Sequence, residues 1–221
     1  MQPITVATFN IHHGRGLDRQ IDLDRTAAAI NETAASVVAL QELDVNQERS
    51  GRVDQPRVLE ELTGAAIHFV PTKVRGESRY GIGLLLRNGA DFSVERLPRL
   101  ADEEPRIAIL TEWAGWSIVA THLAVRTDAR DVQLSALARI AGDLRSPSVV
   151  LGDLNARRRH LGPLIEAGFR PVPKPLRTIR RSFRREVDHI LVSSGGRITR
   201  AGTVPGPASD HFPVFADIVG V

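Results

Sequence analysis

The chain has 221 residues, of which 42% are hydrophobic, so we expect one domain, over residues 1–221, with a core of its own. It contains no cysteine, which excludes disulfide bonds and thiolate zinc sites, so any metal ion would have carboxylate, amide or imidazole ligands. The formal net charge is only +3 and no apolar run approaches the roughly 18 residues of a membrane span, so we expect a cytoplasmic protein without a transmembrane segment.

Short apolar runs rich in β-branched residues recur along the chain, and each is typical of a β-strand. They occupy residues 4–9, 37–40, 67–70, 81–86, 107–110, 117–121, 149–151, 187–192 and 214–218. Helical patterns lie between some of them, at residues 23–35, 57–62, 128–144 and 161–167. Because some strands are joined by helices and others by short turns, this order favours a mixed α/β or α+β sandwich over a purely parallel sheet.

The charges are unevenly distributed along the chain. Residues 157–185 contain ten arginine or lysine residues and one acid, Glu166, which gives this segment a net charge of +9 and the rest of the chain −6. A local positive field of this kind favours a polyanionic partner or substrate. A solvated arginine-rich loop explains the same pattern, so both interpretations stay open.

Polar side chains come directly after five segments of the chain, four of which are predicted strands. These residues are Asn10, Glu42, His122, Asp153 together with Asn155, and Asp210 together with His211. A single carboxylate at the end of a strand is more often a turn former or a helix cap. Five such positions in one chain favour a common site, because strand ends can bring side chains to one rim.

Six short motifs contain these residues or lie beside them. They are TFN at residues 8–10, QE at 41–42, THL at 121–123, GDLN at 152–155, VDHI at 187–190 and SDHFP at 209–213. The ordered set resembles the endonuclease/exonuclease/phosphatase superfamily, which includes DNase I-like nucleases, inositol polyphosphate phosphatases and neutral sphingomyelinases. The stretches NIHHG at 10–14 and RVDQ at 52–55 are similar to its small bacterial members. The resemblance implies a four-layered αββα sandwich, with two mixed β-sheets packed face to face, helices outside and the site at one rim.

The resemblance also implies a metal site. Glu42 would be the principal ligand, Asn10 would coordinate the metal directly or through water, and Asp210 would complete the set. Hard oxygen donors of this kind favour Mg²⁺, with Mn²⁺ as an alternative. A capping acid after a strand is the less favoured alternative for Glu42, whereas Asn10, taken alone, would more often be a turn residue.

Catalytic roles follow from the same resemblance. Asp153 would orient or deprotonate the attacking water, and Asn155 would donate a hydrogen bond to the phosphate oxygen as charge develops. His211 would contact the scissile phosphate while Asp188 holds its imidazole, and His122 would reach the phosphate from another side. A Gly-Asp-x-Asn turn or a structural histidine remains the alternative for each motif taken singly.

Two further residues are candidates for substrate binding. Arg106 follows Glu104 in an acid-x-Arg element that resembles one in the family, which makes it a candidate phosphate clamp. Tyr80, the only tyrosine, could line the site through its hydroxyl. A surface arginine at the start of a strand and an aromatic residue packed beside a strand are the alternatives.

Some positions depart from this pattern or stay unassigned. His12 and His13 are adjacent, and on an extended strand they would point to opposite faces, so at most one is expected to join the site. His189 is expected on the opposite face of its strand, in a structural role. Gly152 fits a backbone that bends closely around a ligand. The arginine-rich loop after Thr178 replaces the Thr-Phe-Pro loop of many relatives, which leaves the substrate open.

The sequence therefore predicts metal-assisted hydrolysis of a phosphoester by in-line attack of an activated water. A phosphodiesterase or nuclease is the first hypothesis, because the arginine-rich segment could follow a sugar-phosphate backbone, although aromatic residues that could stack on bases are few. A phosphatase or sphingomyelinase-like hydrolase of small or lipid phosphoesters is the second. A binding module that has lost its chemistry is the third. No protein partner is predicted.

Overall fold

The computed structural model describes residues 2–145, 147–180 and 186–221. The strands are β1 Ile4–Asn10, β2 Val37–Val45, β3 Ala66–Arg75, β4 Ser78–Leu86, β5 Phe92–Arg96, β6 Ile107–Trp113, β7 Trp116–His122, β8 Ser148–Asp153, β9 Arg170–Pro171, β10 Asp188–Val192, β11 Gly196–Thr203 and β12 Val214–Gly220. The helices are α1 Leu23–Glu32, α2 Gln55–Thr63, α3 Thr127–Gly142 and α4 Gly162–Glu166. Short 3-10 turns cover His12–Gly14, Glu48–Ser50 and Arg158–His160.

The strands form two six-stranded mixed sheets. One has the order β11-β12-β1-β2-β4-β3 and the other the order β5-β6-β7-β8-β10-β9. Each sheet contains one parallel pair, β1 with β2 and β7 with β8, among antiparallel neighbours. This architecture confirms the predicted fold class of two mixed sheets with helices outside.

Three layers of apolar side chains hold the sandwich together. Strands alternate their side chains between two faces, so Val6 lies in the layer between the sheets and Ala7 in the layer under the helices. Helices α1 and α2 cover the outer face of the first sheet through residues such as Ile30, and α3 and α4 cover the second through residues such as Leu137. Both faces of the central strands are therefore buried, which explains their continuous apolar runs.

The helix boundaries follow from local chemistry. Helix α1 begins after Asp22, whose carboxylate accepts a hydrogen bond from the Arg25 backbone N–H at 2.8 Å. Helix α2 begins after Asp54 in the same way, has a proline in its first turn, and ends at Gly64 in a left-handed conformation. None of the helices in the described ranges is both long and apolar enough to cross a membrane.

All nine predicted strands and all four predicted helices correspond to elements of the structure, but three strands were not predicted. Strand β5 is exposed at every residue, β9 has only two residues, and β11 is polar and lies mostly at the surface. These are edge strands of the two sheets, and their apolar content is too low to produce a strand pattern.

Strand register brings the ends of four central strands to one rim. Asn10 pairs with Gln41 at the ends of the parallel strands β1 and β2, and His122 pairs with Asp153 at the ends of β7 and β8. The antiparallel strand β10 places Asp188 opposite Asp153. The two sheets face each other, so these ends form a single site.

Candidate active site

Asn10 links the two sheets at this rim. Its side-chain amide donates hydrogen bonds to the Glu42 carboxylate at 3.0 Å and to the Asp153 carboxylate at 3.1 Å. Its amide oxygen accepts a hydrogen bond from the His12 backbone N–H at 3.0 Å. The Ser209 hydroxyl donates to the Asn10 backbone carbonyl at 2.8 Å, which fixes the end of β1. Asn10 therefore holds two carboxylates from opposite sheets close together.

Glu42 lies at a bulge in strand β2. The pairing of β2 with β4 shifts register between Leu40 and Leu43, and Glu42 has a left-handed φ of 64°. A non-glycine residue in this conformation stores strain, which is common at functional sites. Burial raises the pKa of the Glu42 carboxyl, and the Asn10 hydrogen bond and the nearby His12 only partly oppose this shift. A carboxylate in this environment gains free energy from a nearby cation.

Asp153 is buried at the centre of the site. Its Oδ1 accepts a hydrogen bond from the Asn155 backbone N–H at 2.9 Å, and its Oδ2 lies 3.6 Å from His122 Nε2 and 4.0 Å from His211 Nε2. Burial, with the charge of Asp188, raises the pKa of the Asp153 carboxyl to about 6. Asp153 is thus a stronger base than an exposed aspartate, and it is ionised at neutral pH.

His211 is paired with the buried Asp188. Burial alone would lower the pKa of His211, but the charge of Asp188 and its hydrogen bond to the imidazole Nδ1, at 2.9 Å, outweigh burial and raise the pKa to about 10. The Thr178 hydroxyl accepts hydrogen bonds from the Val187 and Asp188 backbone N–H groups at 3.0 and 3.3 Å and so positions the aspartate. The site therefore contains an imidazolium that points its Nε2 toward Asp153.

His122 has the opposite electrostatic character. Burial, together with the charges of Arg106 and His211, lowers the pKa of His122 well below its usual value, so this imidazole is neutral. The Asn155 side-chain amide lies 3.4 Å from His122 Nε2 and donates to the Leu123 carbonyl at 3.0 Å. Asn155 has a left-handed φ of 48°, which turns its side chain back toward the strand ends. One neutral and one charged histidine thus flank Asp153.

Arg106 and Tyr80 lie at another side of the site. Arg106 is buried, it pairs with Glu104 at 3.2 Å, and its Nε has no hydrogen-bond partner among the described residues. A buried guanidinium with an unused donor is suited to bind an anion. Tyr80 is also buried, and burial and the charge of Glu42 raise the pKa of its hydroxyl. Tyr80 therefore stays protonated and can donate a hydrogen bond.

A single cleft of about 870 Å³ contains most of the predicted site residues. Those that line it are Asn10, Glu42, Tyr80, Arg106, His122, Asp153, Asn155 and His211. Asp188 is buried and holds His211 in place. Asp210 does not line the cleft: its carboxylate lies 3.4 Å from His12 Nδ1 and is partly exposed. The structure thus brings eight of the ten predicted residues to one cleft.

The prediction for His12 and His13 was wrong in its geometry. These residues lie in a 3-10 turn with left-handed φ angles of 49° and 46°, so they do not alternate as they would on a strand. Both approach the acidic residues, since His12 Nδ1 lies 3.4 Å from Asp210 and His13 Nδ1 lies 3.9 Å from Glu42. Burial lowers the pKa of His13 to about 4.

Two other expectations have clear outcomes. His189 is buried on the far face of β10, and its Nε2 lies 2.7 Å from the Ala156 carbonyl, as its structural interpretation requires. For Gly152, the structure gives a cause other than the approach of a ligand. A Cβ atom at this position would lie 2.0 Å from the Thr121 carbonyl oxygen, so the neighbouring strand requires glycine here.

The donor groups at the rim fit a divalent cation. Asp153, Asp188 and His211 offer ligand atoms that lie within 4.8 Å of one another, the one such group of histidine and acidic side chains among the described residues. His211 cannot serve as a ligand while it is protonated and bonded to Asp188. The carboxylate oxygens of Asp153 and Glu42, linked by Asn10, are hard donors suited to a divalent metal.

The arginine-rich segment reaches the site at one end. Ile179 pairs with His211, and the Arg180 backbone N–H donates to the Asp210 carbonyl at 3.0 Å. The Arg180 guanidinium lies 4.4 Å above the Phe212 ring. A groove of about 500 Å³ further along is lined by arginines at positions 157–159 and 177. Residues 181–185, which include three of the ten basic residues, lie outside the described part of the chain.

Sequence reasoning missed several residues of the site. Gln47, Arg49, Lys73 and Arg126 line the cleft but belong to no recognised motif. Arg49 lies in the first turn after β2, seven residues beyond Glu42, where no motif marks it. Lys73 and Arg126 give no local signal, because they reach the cleft only through the packing of distant strands and loops.

Comparisons with known proteins agree with this architecture. The chain matches the model of the Endonuclease/Exonuclease/phosphatase family over residues 7–211. An endonuclease/exonuclease/phosphatase from Beutenbergia cavernae DSM 12333 superposes with a TM-score of 0.83 at 20% identity, covering 100% of this chain and 72% of that chain. Another, from Bacteroides vulgatus, gives 0.79 at 18% identity and covers 100% of both chains.

A third structure contains a ligand. D. rerio TDP2 complexed with single strand DNA product superposes with a TM-score of 0.73 at 17% identity, covering 99% of this chain and 100% of that chain. No curated protein sequence matched the chain.

The fold is DNase I-like, and its rim of carboxylates and histidines forms a candidate cation site. The family model covers most of the chain, and the chain belongs to the Endonuclease/Exonuclease/phosphatase family. Endonucleases, exonucleases and phosphatases all hydrolyse phosphoester bonds, and this is the chemistry that members of the family share.

Proposed function

We propose that the protein is a metal-dependent phosphodiesterase that cleaves nucleic acid by in-line attack of water. The observation that carries this proposal is the arrangement around Asp153. One buried carboxylate with a raised pKa lies between an imidazolium, a neutral imidazole and a second carboxylate in one open cleft. This combination supplies a base, a charge for the phosphate and a cation site.

Asp153 is the base in this mechanism. Its Oδ1 is held by the Asn155 backbone N–H and its Oδ2 by the Asn10 amide, so the carboxylate is fixed before a substrate arrives. A water molecule beside it would be oriented for attack on phosphorus and would lose its proton to the carboxylate. Asp153 returns that proton to solvent after the phosphoester bond has broken, and the leaving oxygen takes up a proton from solvent.

His211, His122 and Asn155 act on the phosphate. The His211 imidazolium offers Nε2–H to a phosphate oxygen, and Asp188 keeps this charge in place as negative charge develops in the transition state. The neutral His122 and the Asn155 amide contribute hydrogen bonds from the other side of the cleft. The guanidinium of Arg106, which lines the cleft, binds a remaining oxygen.

Glu42 and Asn10, with Asp210 as a further candidate, would hold Mg²⁺, with Mn²⁺ as an alternative. When bound there, the metal supplies positive charge that neutralises the phosphate and the leaving oxygen. The left-handed bulge at Glu42 fixes the carboxylate at the edge of the cleft, and the raised pKa of Glu42 indicates a carboxyl that lacks a full counter-charge.

Nucleic acid is the substrate class that the surface favours. The arginine-rich segment adjoins the site through Arg180 and continues into a groove lined by further arginines. Positive charge beside the cleft suits a polyanionic strand. The structurally similar D. rerio TDP2 was solved complexed with single strand DNA product.

The test is a substrate panel with purified protein in MgCl₂. Single-stranded and duplex DNA, RNA, sphingomyelin and small phosphomonoesters are compared for wild type, Asp153→Asn and His211→Ala. We expect cleavage of nucleic acid by wild type alone, with loss on chelation. Release of phosphate or of a lipid headgroup while nucleic acid stays intact would instead support a phosphatase or sphingomyelinase-like hydrolase. Binding of nucleic acid without turnover of any substrate would support a binding module.

A further inference from the structure

Cationic side chains around Arg49 line one side of the cleft and form a cationic wall. Asp44 has no exposed side-chain surface, and its two carboxylate oxygens accept hydrogen bonds from Arg49 Nε and Nη2, each at 2.8 Å. The Ser50 hydroxyl donates to the same carboxylate at 3.0 Å. A bidentate pair on a fully buried partner fixes the guanidinium in one orientation.

Arg49 keeps one donor group free for a ligand. About half of its side chain is exposed, it lines the cleft, and no hydrogen bond or ion pair within the described ranges uses its Nη1. Its guanidinium carbon lies 5.3 Å from the centre of the Tyr80 ring. The Arg49 guanidinium thus lies over the Tyr80 ring and is hydrogen-bonded to Asp44.

Lys73 extends this wall. Its ammonium lies 5.8 Å from the centre of the Tyr80 ring, so two cations approach the same aromatic ring. Lys73 forms a short ion pair with Glu104, and Arg106 pairs with the same carboxylate at 3.2 Å. Glu104, a half-buried acid, is therefore shared by two cations.

The strands explain why these groups are neighbours. Tyr80 on β4 pairs with Asp44 on β2 and with Lys73 on β3, so three adjacent strands present the aspartate, the ring and the ammonium at one level. Glu42 lies two residues before Asp44 on the same strand, on the bulge that faces the acidic centre. The cationic wall and the acidic centre are thus two parts of one cleft on either side of Tyr80.

We propose that Arg49 and Lys73 form a second phosphate subsite, which binds the phosphate one linkage away from the bond that is cleaved. This inference rests on the proposed function and narrows its substrate class to molecules that carry two phosphates separated by a sugar-sized spacer. A nucleic acid strand has this spacing throughout. A monoester such as a sugar phosphate would leave the subsite empty.

The test measures binding, so it does not depend on turnover. Isothermal titration compares thymidine 3′,5′-bisphosphate with thymidine 5′-monophosphate and thymidine 3′-monophosphate, for wild type and variants at one ionic strength. We expect wild type to bind the bisphosphate at least about tenfold more tightly than either monophosphate, the range of a charge-assisted hydrogen bond. Arg49→Gln and Lys73→Gln should each reduce this ratio toward one.

Control variants distinguish the loss of the subsite from a loss of folding and from the loss of any positive charge. Arg49→Gln leaves the buried Asp44 without its ion pair, so the double variant Asp44→Asn/Arg49→Gln provides a neutral pair, and thermal melting checks that each variant is folded. Arg57→Gln removes an exposed arginine on α2 and should keep the wild-type ratio. A wild-type ratio in both Lys73→Gln and the folded double variant overturns the proposal.

Two further outcomes are informative. Inositol 1,4-bisphosphate is included as a non-nucleotide bisphosphate, and if it binds more tightly than the thymidine bisphosphate, the assignment to a nucleic acid strand is overturned. If the bisphosphate preference depends on Arg49 and yet single-stranded DNA is not cleaved, the subsite is supported and the proposed phosphodiesterase activity fails. The failure of one is therefore distinguishable from the failure of the other.

Discussion

His211 and Asp188 form an ion pair in which the imidazole Nδ1 lies 2.9 and 3.1 Å from the two carboxylate oxygens. Asp188 is buried beneath the histidine, opposite Asp153 across the strands β8 and β10. The pair reverses the effect that burial would have on the histidine, because a buried imidazole without an anion would be neutral. Asp188 is therefore the main source of the raised pKa of His211, to which the charges of Asp153 and Asp210 add.

The first prediction concerns this pair. In the metal-free protein, NMR titration should place the pKa of His211 near about 10, and Asp188→Asn should lower it markedly, because the strongest of the charges that oppose burial is removed. The imidazolium contributes stability that is fully present below pH 6.5 and is lost as pH rises through about 10. The stability difference between wild type and Asp188→Asn should therefore shrink as pH rises from about 6.5 to about 10. A His211 pKa that does not change in the variant would contradict the assignment.

The second prediction concerns Asp153 as the base. Asp153→Asn should lower kcat by about 10²- to 10⁴-fold without loss of fold, since it removes the proton acceptor and keeps the size of the side chain. In wild type, kcat/KM should rise with pH through about 6 or below, because burial raises the pKa of Asp153 and a bound cation lowers it again. Asp131→Asn, an exposed aspartate on α3, is the matched control and should behave as wild type. If kcat/KM of Asp153→Asn still rises with pH through the same midpoint, another residue is the base.

The third prediction concerns the metal. Titration of MgCl₂ or MnCl₂ into chelator-treated protein should detect binding, and Glu42→Gln should weaken it at least about tenfold, because a neutral amide is a poorer ligand than a carboxylate. Glu48→Gln changes an exposed acid nearby and serves as the control. Asp210→Asn should have a smaller effect, since Asp210 does not line the cleft and its carboxylate lies beside His12. Equal affinities for wild type and Glu42→Gln would remove Glu42 from the ligand set.

The strands and helices of the core could be predicted because their burial leaves a direct pattern in the sequence. Strands buried on both faces appear as continuous apolar runs, and the polar residues that end them mark the rim where the sheets meet. The edge strand Phe92–Arg96 leaves no such pattern, because all of its side chains are exposed and its pairing with Ile107–Trp113 is a matter of backbone hydrogen bonds.

The site was predictable where it depends on strand ends and not where it depends on turns. Asn10 and Asp153 are the last residues of β1 and β8, and the packing of the two sheets brings these strand ends together. His12 and His13 were misplaced because a left-handed turn replaces the extended backbone on which the prediction depended. Arg49 was missed because its orientation depends on Asp44, a partner that is recognisable only after β2 and the following turn have been built.

The last prediction concerns the backbone beneath Asp153. A Cβ atom at Gly152 would lie 2.0 Å from the Thr121 carbonyl oxygen and 2.9 Å from its carbonyl carbon, so Gly152→Ala forces β7 and β8 apart. Both contacts are backbone atoms and cannot move aside by changing rotamer. We expect the free energy of unfolding to fall by at least about 2 kcal/mol, together with a loss of activity, because β7 and β8 carry His122 and Asp153.

The matched control is Gly162→Ala at the start of α4, where an added Cβ atom meets no other atom within 4 Å. This variant should be as stable as wild type or slightly more stable, because alanine loses less backbone entropy than glycine in a helix. Chemical denaturation measures both free energies, and the substrate assay measures activity in the same preparations. If Gly152→Ala were as stable and active as Gly162→Ala, the close approach of the two strands would not be what requires glycine beside Asp153.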